Sequence, residues 1–337
     1  MSLTLIFSIA DKLALICAFS ILAQLLETSG LFARLATTSR LFATPQRHVT
    51  FWFIVAFCLS GIFNDMTIAA LLMPIVLSSA QVQHFPRPDL LLLATAFGIS
   101  TGGDLTVFGG NDNLIAIGFL QDTPYTISKL AWSSIFGPCT LLIGFCALLV
   151  CIFSVRNVSW KPAGIDMIDR KVKWPIVVYV ACLTMLAFVT SSYFVLLLAV
   201  IGTTATSNIQ YLFTKLPYKA MLIWTAAFIV GKLLAQYIAP QLSIPTNIYL
   251  LIAVLILATN IITNTALMSA ALPFILASGL PAAHCYAAIK AINTAYLTIY
   301  GNSCLAVAAG YTLKQRDLLK YGTPIVLFTY IAIILCF

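Results

Sequence analysis

Residues 50–80 read TFWFIVAFCLSGIFNDMTIAALLMPIVLSSA, an apolar run broken near its centre by Asn64-Asp65-Met66-Thr67. A helix crosses a bilayer with about 20 apolar residues and seldom needs more than about 25. The run is too long for one span, and a single helix would carry its polar cluster into lipid. A re-entrant helical hairpin with the cluster at its tip uses the whole length. Such a break is tolerated at membrane depth where it is buried in protein or lines a cavity. Residues 248–279 repeat the pattern, with Thr263-Asn264-Thr265 at the centre.

The rest of the chain is as apolar as these two segments. Of 337 residues, 61% are hydrophobic and 8% charged, against about 25% charged in a soluble domain. Mean hydropathy is +1.02. Further apolar segments fall at 3–10, 13–33, 89–119, 130–154, 174–192, 193–209, 219–238, 284–311 and 322–337. Alternating ten-residue strands of a β-barrel are not seen. No basic region precedes the first apolar residues, so no cleavable leader is expected.

The basic residues supply a topology test. If both long segments are hairpins, loops 34–48, 81–88, 155–173, 211–219 and 312–320 share one side. Those loops hold 14 of the 18 Lys and Arg, which makes that side cytoplasmic and the membrane the plasma membrane. The net charge of +8 therefore reads as topology, with the lipid bilayer as partner and no nucleic acid. The nine cysteines form no CxxC pair and the three histidines are scattered, so neither a disulfide framework nor a transition-metal site is expected.

The two halves match each other. Asn64 and Asn264 stand at the two tips, and Pro74 and Pro273 follow at similar distance. Gly110-Asn111-Asp112-Asn113-Leu114 parallels Gly301-Asn302-Ser303-Cys304-Leu305, and Gly118-Phe119 parallels Gly310-Tyr311. The first hairpin would open to the cytoplasm and the second to the outside. The expected fold is an all-α polytopic membrane protein: an inverted-topology repeat with two re-entrant helical hairpins (50–80, 248–279) and two broken transmembrane helices (89–119, 284–311). Residues 1–154 form the first repeat, 155–173 a cytoplasmic linker and 174–337 the second repeat. Secondary transporters place a midplane site between such broken helices.

Residues 98–113, GISTGGDLTVFGGNDN, put glycines, two aspartates, two asparagines and two threonines at membrane depth. An unwound stretch there exposes backbone groups as ion ligands; a glycine-rich helix contact is the alternative. Only Asp65, Asp104 and Asp112 of the ten acidic residues lie deep in membrane segments, all in the first half. Intramembrane acids usually mark ion or proton paths. The coupling ion, Na⁺ or H⁺, is therefore expected at Asn64, Asp65, Asp104, Gly110, Asn111 and Asp112. The neutral set Asn64, Thr67, Asn113, Thr263, Asn264, Thr265, Asn302 and Ser303 is expected to bind substrate. One acid pairing structurally with Lys290 or Lys232 is the competing reading. Lys290, inside 284–311, is expected to snorkel toward an interface; Asn293 and Thr294 line the pore or join helices. GxSxG, HExxH, Walker A and Rossmann patterns are absent, so neither an enzyme nor an ATP-driven pump is expected, and no cofactor.

At these motifs the chain resembles the ion transporter superfamily, which holds divalent anion/sodium symporters, citrate transporters, arsenite permeases and one type of sodium/proton antiporter. The symporters carry Ser-Asn-Thr at each tip, where this chain has Phe63-Asn64-Asp65 and Thr263-Asn264-Thr265. They carry a Gly-Thr-Pro-Pro-Asn-like break, where it has Gly109-Gly110-Asn111-Asp112-Asn113 and Tyr300-Gly301-Asn302-Ser303. GYTLKQRDLLKYG at 310–322 is similar to the family's link into its last helix. The chain departs in Asp65 at the first tip, closer to the arsenite-permease-like members, in the missing Pro-Pro pairs, and in about two fewer leading helices. The resemblance implies secondary active transport of a small anion, a di- or tricarboxylate, coupled to Na⁺ or H⁺ by elevator-like alternating access. It also implies a moving unit of hairpins and broken helices with 130–154 and 322–337, a scaffold of 13–33 and 174–238, and a homodimer. An arsenite permease or cation/proton antiporter on the same scaffold, or a non-transporting membrane protein lacking scaffold helices, are the rival readings.

Overall fold

The structure, a computed structural model, describes residues 3–31, 34–35, 44–121, 123–160, 171–204, 247–311 and 313–337, with a few positions between 218 and 233. Among the described residues every regular element is a helix. Segment 219–238 with Lys232, loop 211–219 and the centre of the 155–173 linker lie largely outside them.

Helix α1 runs Leu3–Thr28. The expected interruption between 3–10 and 13–33 does not occur. Asp11 and Lys12 are polar, but no Pro or Gly accompanies them, and polarity alone does not end a helix. The stop comes at Gly30, whose φ of 80° is the left-handed C-cap geometry that glycine adopts most cheaply.

Residues 50–80 fold as two helices, α2 (Pro45–Ser60) and α3 (Asp65–Val82). Thr44 caps α2 by accepting from Arg47 N at 3.3 Å, with Pro45 at the first turn. Asn64 caps α3 by accepting from Met66 N at 3.2 Å. The polar cluster is thus a helix end followed directly by a helix start, the two places where backbone groups lack partners.

Helix α4 (Pro88–Gly102) is buried on all sides from Leu90 to Gly102, as a helix apolar all round must be. It lies closely on α2. A Cβ at Gly98 would meet the Phe53 carbonyl at 2.6 Å, and one at Gly102 would strike the Phe57 carbonyl. The chain unwinds over 103–110 and resumes as α5 (Asn111–Leu120). Helix α6 (Lys129–Ser154) leads to Trp160, whose indole donates to the Gln83 carbonyl at 3.0 Å.

Helices α7 (Trp174–Val189) and α8 (Ser192–Thr204) separate at Thr190-Ser191, as expected, and pack on α1. The second hairpin is α9 (Ile248–Thr259) and α10 (Asn264–Ala277). Then come α11 (Ala282–Ile292), an unwound 293–302, α12 (Ser303–Ala309) and α13 (Gln315–Cys336). Among the described residues, stretches of α1, α6 and α13 are long and apolar enough to cross a membrane. Helices α6 and α13 pack together and turn Leu141, Phe145, Phe153, Leu327, Ile331 and Leu335 outward, an apolar face suited to lipid.

Candidate functional site

The chain unwinds twice, and each unwound stretch is bound to a hairpin tip by the same bonds. In the first half Asp65 N donates to Gly109 O at 2.7 Å; in the second Asn264 N donates to Gly301 O at 3.0 Å. Thr106 Oγ1 donates to Gly61 O at 2.7 Å, and Thr298 Oγ1 to Asn260 O at 2.5 Å. Ser60 Oγ donates to Ile99 O at 2.8 Å, and Thr259 Oγ1 to Ile292 O at 2.5 Å. Gly109 and Gly301 complete the match, since a Cβ on either would stand 2.6 Å from the carbonyl of Ser60 or Thr259 respectively.

These bonds shift the sequence register by one residue. Asp65, not Asn64, occupies the place of Asn264, and Gly109, not Gly110, that of Gly301. Asn64 corresponds to Thr263, and both cap the helix that follows. The shifted register sets Pro74 and Pro273 each nine residues beyond the matched pair.

The two junctions meet. Helix α5 packs on α10 of the other half, and α12 packs on α3 and α4. Asn64 Nδ2 donates to Asn111 Oδ1 at 2.9 Å. Asp65 turns its carboxylate to its own helix start, accepting from Met66 N at 2.6 Å. Asp112, in the first turn of α5, is buried against the Asn264 side chain and close enough to Asp65 for the two charges to interact. A Cβ at Gly110 would strike Asp112 Oδ1. Among the described residues neither Asp65 nor Asp112 has a Lys or Arg partner; the ion pairs there are Arg87–Asp89 and Lys290–Asp104. Two buried carboxylates with no cation are costly, and a bound cation or proton relieves that cost.

The neutral residues divide by place. Thr259 spends its one hydroxyl proton on Ile292, so the Asn264 group facing it at 2.5 Å is the amide nitrogen, which also donates to Gly301 O at 2.9 Å. Asn302 caps α12, accepting from Cys304 N at 3.0 Å, and bridges the halves by donating to Ser100 Oγ at 2.9 Å. Thr263 caps α10 from an exposed position. Thr67 and Thr265 are half-buried in the first turns of α3 and α10. Asn113 braces the first break, donating to Gly103 O at 2.8 Å and Thr106 O at 2.9 Å and accepting from Asn293 at 2.8 Å. Ser303 opens α12; its side chain lies outside the described residues.

Asp104 stands apart from the other acids. Lys290 Nζ lies 2.5 Å from its Oδ2 and donates to Thr140 Oγ1 at 2.9 Å. The expected snorkelling of Lys290 is overturned: its side chain is 1% exposed, held at depth by a carboxylate from the other half. The competing reading, a structural acid–lysine pair, fits Asp104. Sequence reasoning missed Ser60, Thr259, Thr106, Thr298 and Asn260. The signal was present in Thr106-Val-Phe-Gly109 beside Thr298-Ile-Tyr-Gly301.

The whole-chain comparisons agree with this architecture. The citrate transporter family model (CitMHS) matches residues 2–335. The crystal structure of the YdaH transporter of Alcanivorax borkumensis, described as having an unusual topology, superposes with a TM-score of 0.62 at 15% identity, covering 99% of this chain and 86% of that one. No curated protein matches. The chain is thus a multi-pass membrane transporter rather than an enzyme, and it belongs to the citrate transporter family of the ion transporter superfamily.

Proposed function

We propose that the protein is a secondary active transporter of small di- or tricarboxylate anions, coupled to Na⁺ or H⁺ by alternating access. The observation that carries this reading is the pair of matched tip-and-break junctions meeting at one place, with Asp65 and Asp112, which have no Lys or Arg partner among the described residues, on one of them. Asn64, Asp65, Gly110, Asn111 and Asp112 hold the coupling ion. Asn264, Thr263, Thr265, Asn302 and Ser303, with Thr67 and Asn113 on the first side, hold the substrate. The starts of α3, α5 and α10 add backbone N–H groups, which favour an anion. Asp104 contributes through Lys290 rather than as a free ligand.

The matched bonds support an inverted-topology repeat of 1–154 and 174–337 about the 155–173 linker, with both hairpins re-entrant. In this reading the hairpins, the broken helices, α6 and α13 move as one elevator-like unit against α1, α7 and α8, in a homodimer of the plasma membrane. The basic loops face the cytoplasm. Cysteines introduced at the exposed positions Thr44 and Pro86 test the hairpin: both should be labelled from the cytoplasmic side, and labelling from opposite sides would remove it.

Transport is tested with purified protein in proteoliposomes, by uptake of labelled citrate and succinate under imposed Na⁺ or pH gradients. Uptake driven by one gradient is expected. The buried carboxylates also favour cation/proton exchange on the same frame; cation flux without any carboxylate uptake would select that reading.

A further inference from the structure

A buried ion pair joins the two halves away from both tips. Lys290, in the last turn of α11, extends its ammonium to Asp104 in the first break and to Thr140 on α6. Asn293, one turn on, lies against the same carboxylate and donates to Asn113. Its own carbonyl oxygen, in a side chain 2% exposed, has no hydrogen-bond donor. Trp132 Nε1 closes on the Asp104 backbone carbonyl at 3.3 Å.

The carboxylate and the hydroxyl that meet the ammonium are both hard oxygen donors. Hard metal cations take such ligands. An ammonium carries the same single positive charge as an alkali metal ion, with three donors to spend, and Lys290 brings it on a stem anchored in α11. We propose that Lys290 is a tethered cation filling, from within the chain, a monovalent-cation site whose ligands include Asp104 and Thr140. Residue 290 then sets how many external cations the protein needs. The inference does not depend on Asp65 and Asp112 binding the coupling ion.

The consequence is specific. Removing the ammonium leaves Asp104 as a buried charge without compensation, which strongly destabilises a fold. It also leaves space lined by oxygen ligands. An external cation can enter that space and restore the lost stability, by mass action on the folded state. A lysine that serves only to pack its methylenes predicts no such rescue.

The test is thermal unfolding of the purified full chain in detergent, with Na⁺ or K⁺ replacing choline at constant ionic strength. Lys290→Ala should unfold several degrees below the parent in choline. Na⁺, K⁺ or methylammonium should return most of that loss, a larger rise than the parent shows. Asp104→Asn/Lys290→Ala should lack the additional rise. Any response shared with the parent belongs to other sites, and Asp65→Asn/Asp112→Asn measures it separately. Equal cation responses in the single and double variants would overturn the proposal. If Lys290→Ala cannot be isolated folded, Asp104→Asn/Lys290→Met decides: with both charges gone it should unfold near the parent temperature. Its failure to fold, with the side-chain stem kept by Met and both charges gone, would show that compensating the Asp104 charge is not what Lys290 supplies, and the proposal would fall.

Discussion

The two tip-and-break junctions share a backbone and differ in charge. Each has a tip amide donating to a break glycine, a break threonine donating to the end of the first hairpin helix, and a hydroxyl on that helix donating to the helix that leads into the break. On this common frame the first junction carries Asp65 and Asp112, where the second carries Asn264 and Cys304. Their surroundings differ as well. The first tip buries Phe63 against Phe19 of α1, and Phe19 in turn stacks on Phe108 of the break. The second tip leaves Ile261 and Ile262 exposed. Hydrogen-bonded geometry is therefore what the halves have in common, and the charge placed on it is what divides their proposed work between cation and anion.

The largest effect should come from damage to the common frame. Gly109→Ala would drive a Cβ onto the carbonyls of Ser60 and Gly103, and Gly301→Ala onto Thr259 O and the Ala295 side chain. These neighbours are mostly backbone and cannot yield, and overpacking of this kind costs about 1–3 kcal/mol or more. Both variants should lose transport and unfold at lower temperature. Gly137→Ala, whose Cβ would stand 3.8 Å from Leu105, should keep both. Normal uptake by Gly109→Ala or Gly301→Ala would break the match between the junctions.

Next come the tip amides. Asn264→Ala strips donors from Thr259 and Gly301, while Asn64→Ala removes one bond to Asn111 and a helix cap. A buried group left unpaired costs about 1–3 kcal/mol. Both variants should insert in the membrane and lose citrate uptake at least about tenfold, the equivalent of 1.4 kcal/mol. Asn264→Ala should show the larger drop in unfolding temperature. Retained uptake in either would remove that asparagine from the site.

The smallest effect marks the edge of the comparison. Arg87 and Asp89 form an ion pair at 2.7 Å, with the Arg87 side chain 47% exposed. Exposed pairs are worth about 0–1 kcal/mol. Asp89→Asn should leave uptake unchanged within error, whereas Asp104→Asn, which strands the Lys290 ammonium, should not.

Much of this arrangement was legible from residue types alone. Polar clusters inside overlong apolar runs marked both tips and both breaks, because lipid tolerates such residues only where protein surrounds them. The one-residue register was not legible by identity. Pairing Asn64 with Asn264 follows the letter, while the backbone bond pairs Asp65 with Asn264. Asparagine and aspartate are near-isosteric, so the frame accepts either and only the charge changes. The α1 interruption was misread because hydropathy reports depth in a bilayer, not helix ends. Lys290 was misread because its partner lies 186 positions away in sequence, and no local pattern reports a contact of that range.

The charge difference between the junctions is tested most directly by citrate binding to the purified protein, measured calorimetrically against Na⁺ concentration and against pH. The parent, Asp65→Asn, Asp112→Asn and Asn264→Asp are compared. Asp65→Asn gives the first tip the residue of the second. It and Asp112→Asn should each flatten the parent's dependence on one of the two ions, while Asn264→Asp should not reproduce that loss. If Asp65→Asn and Asp112→Asn both keep the parent's ion dependence, the coupling ion does not sit at the first junction.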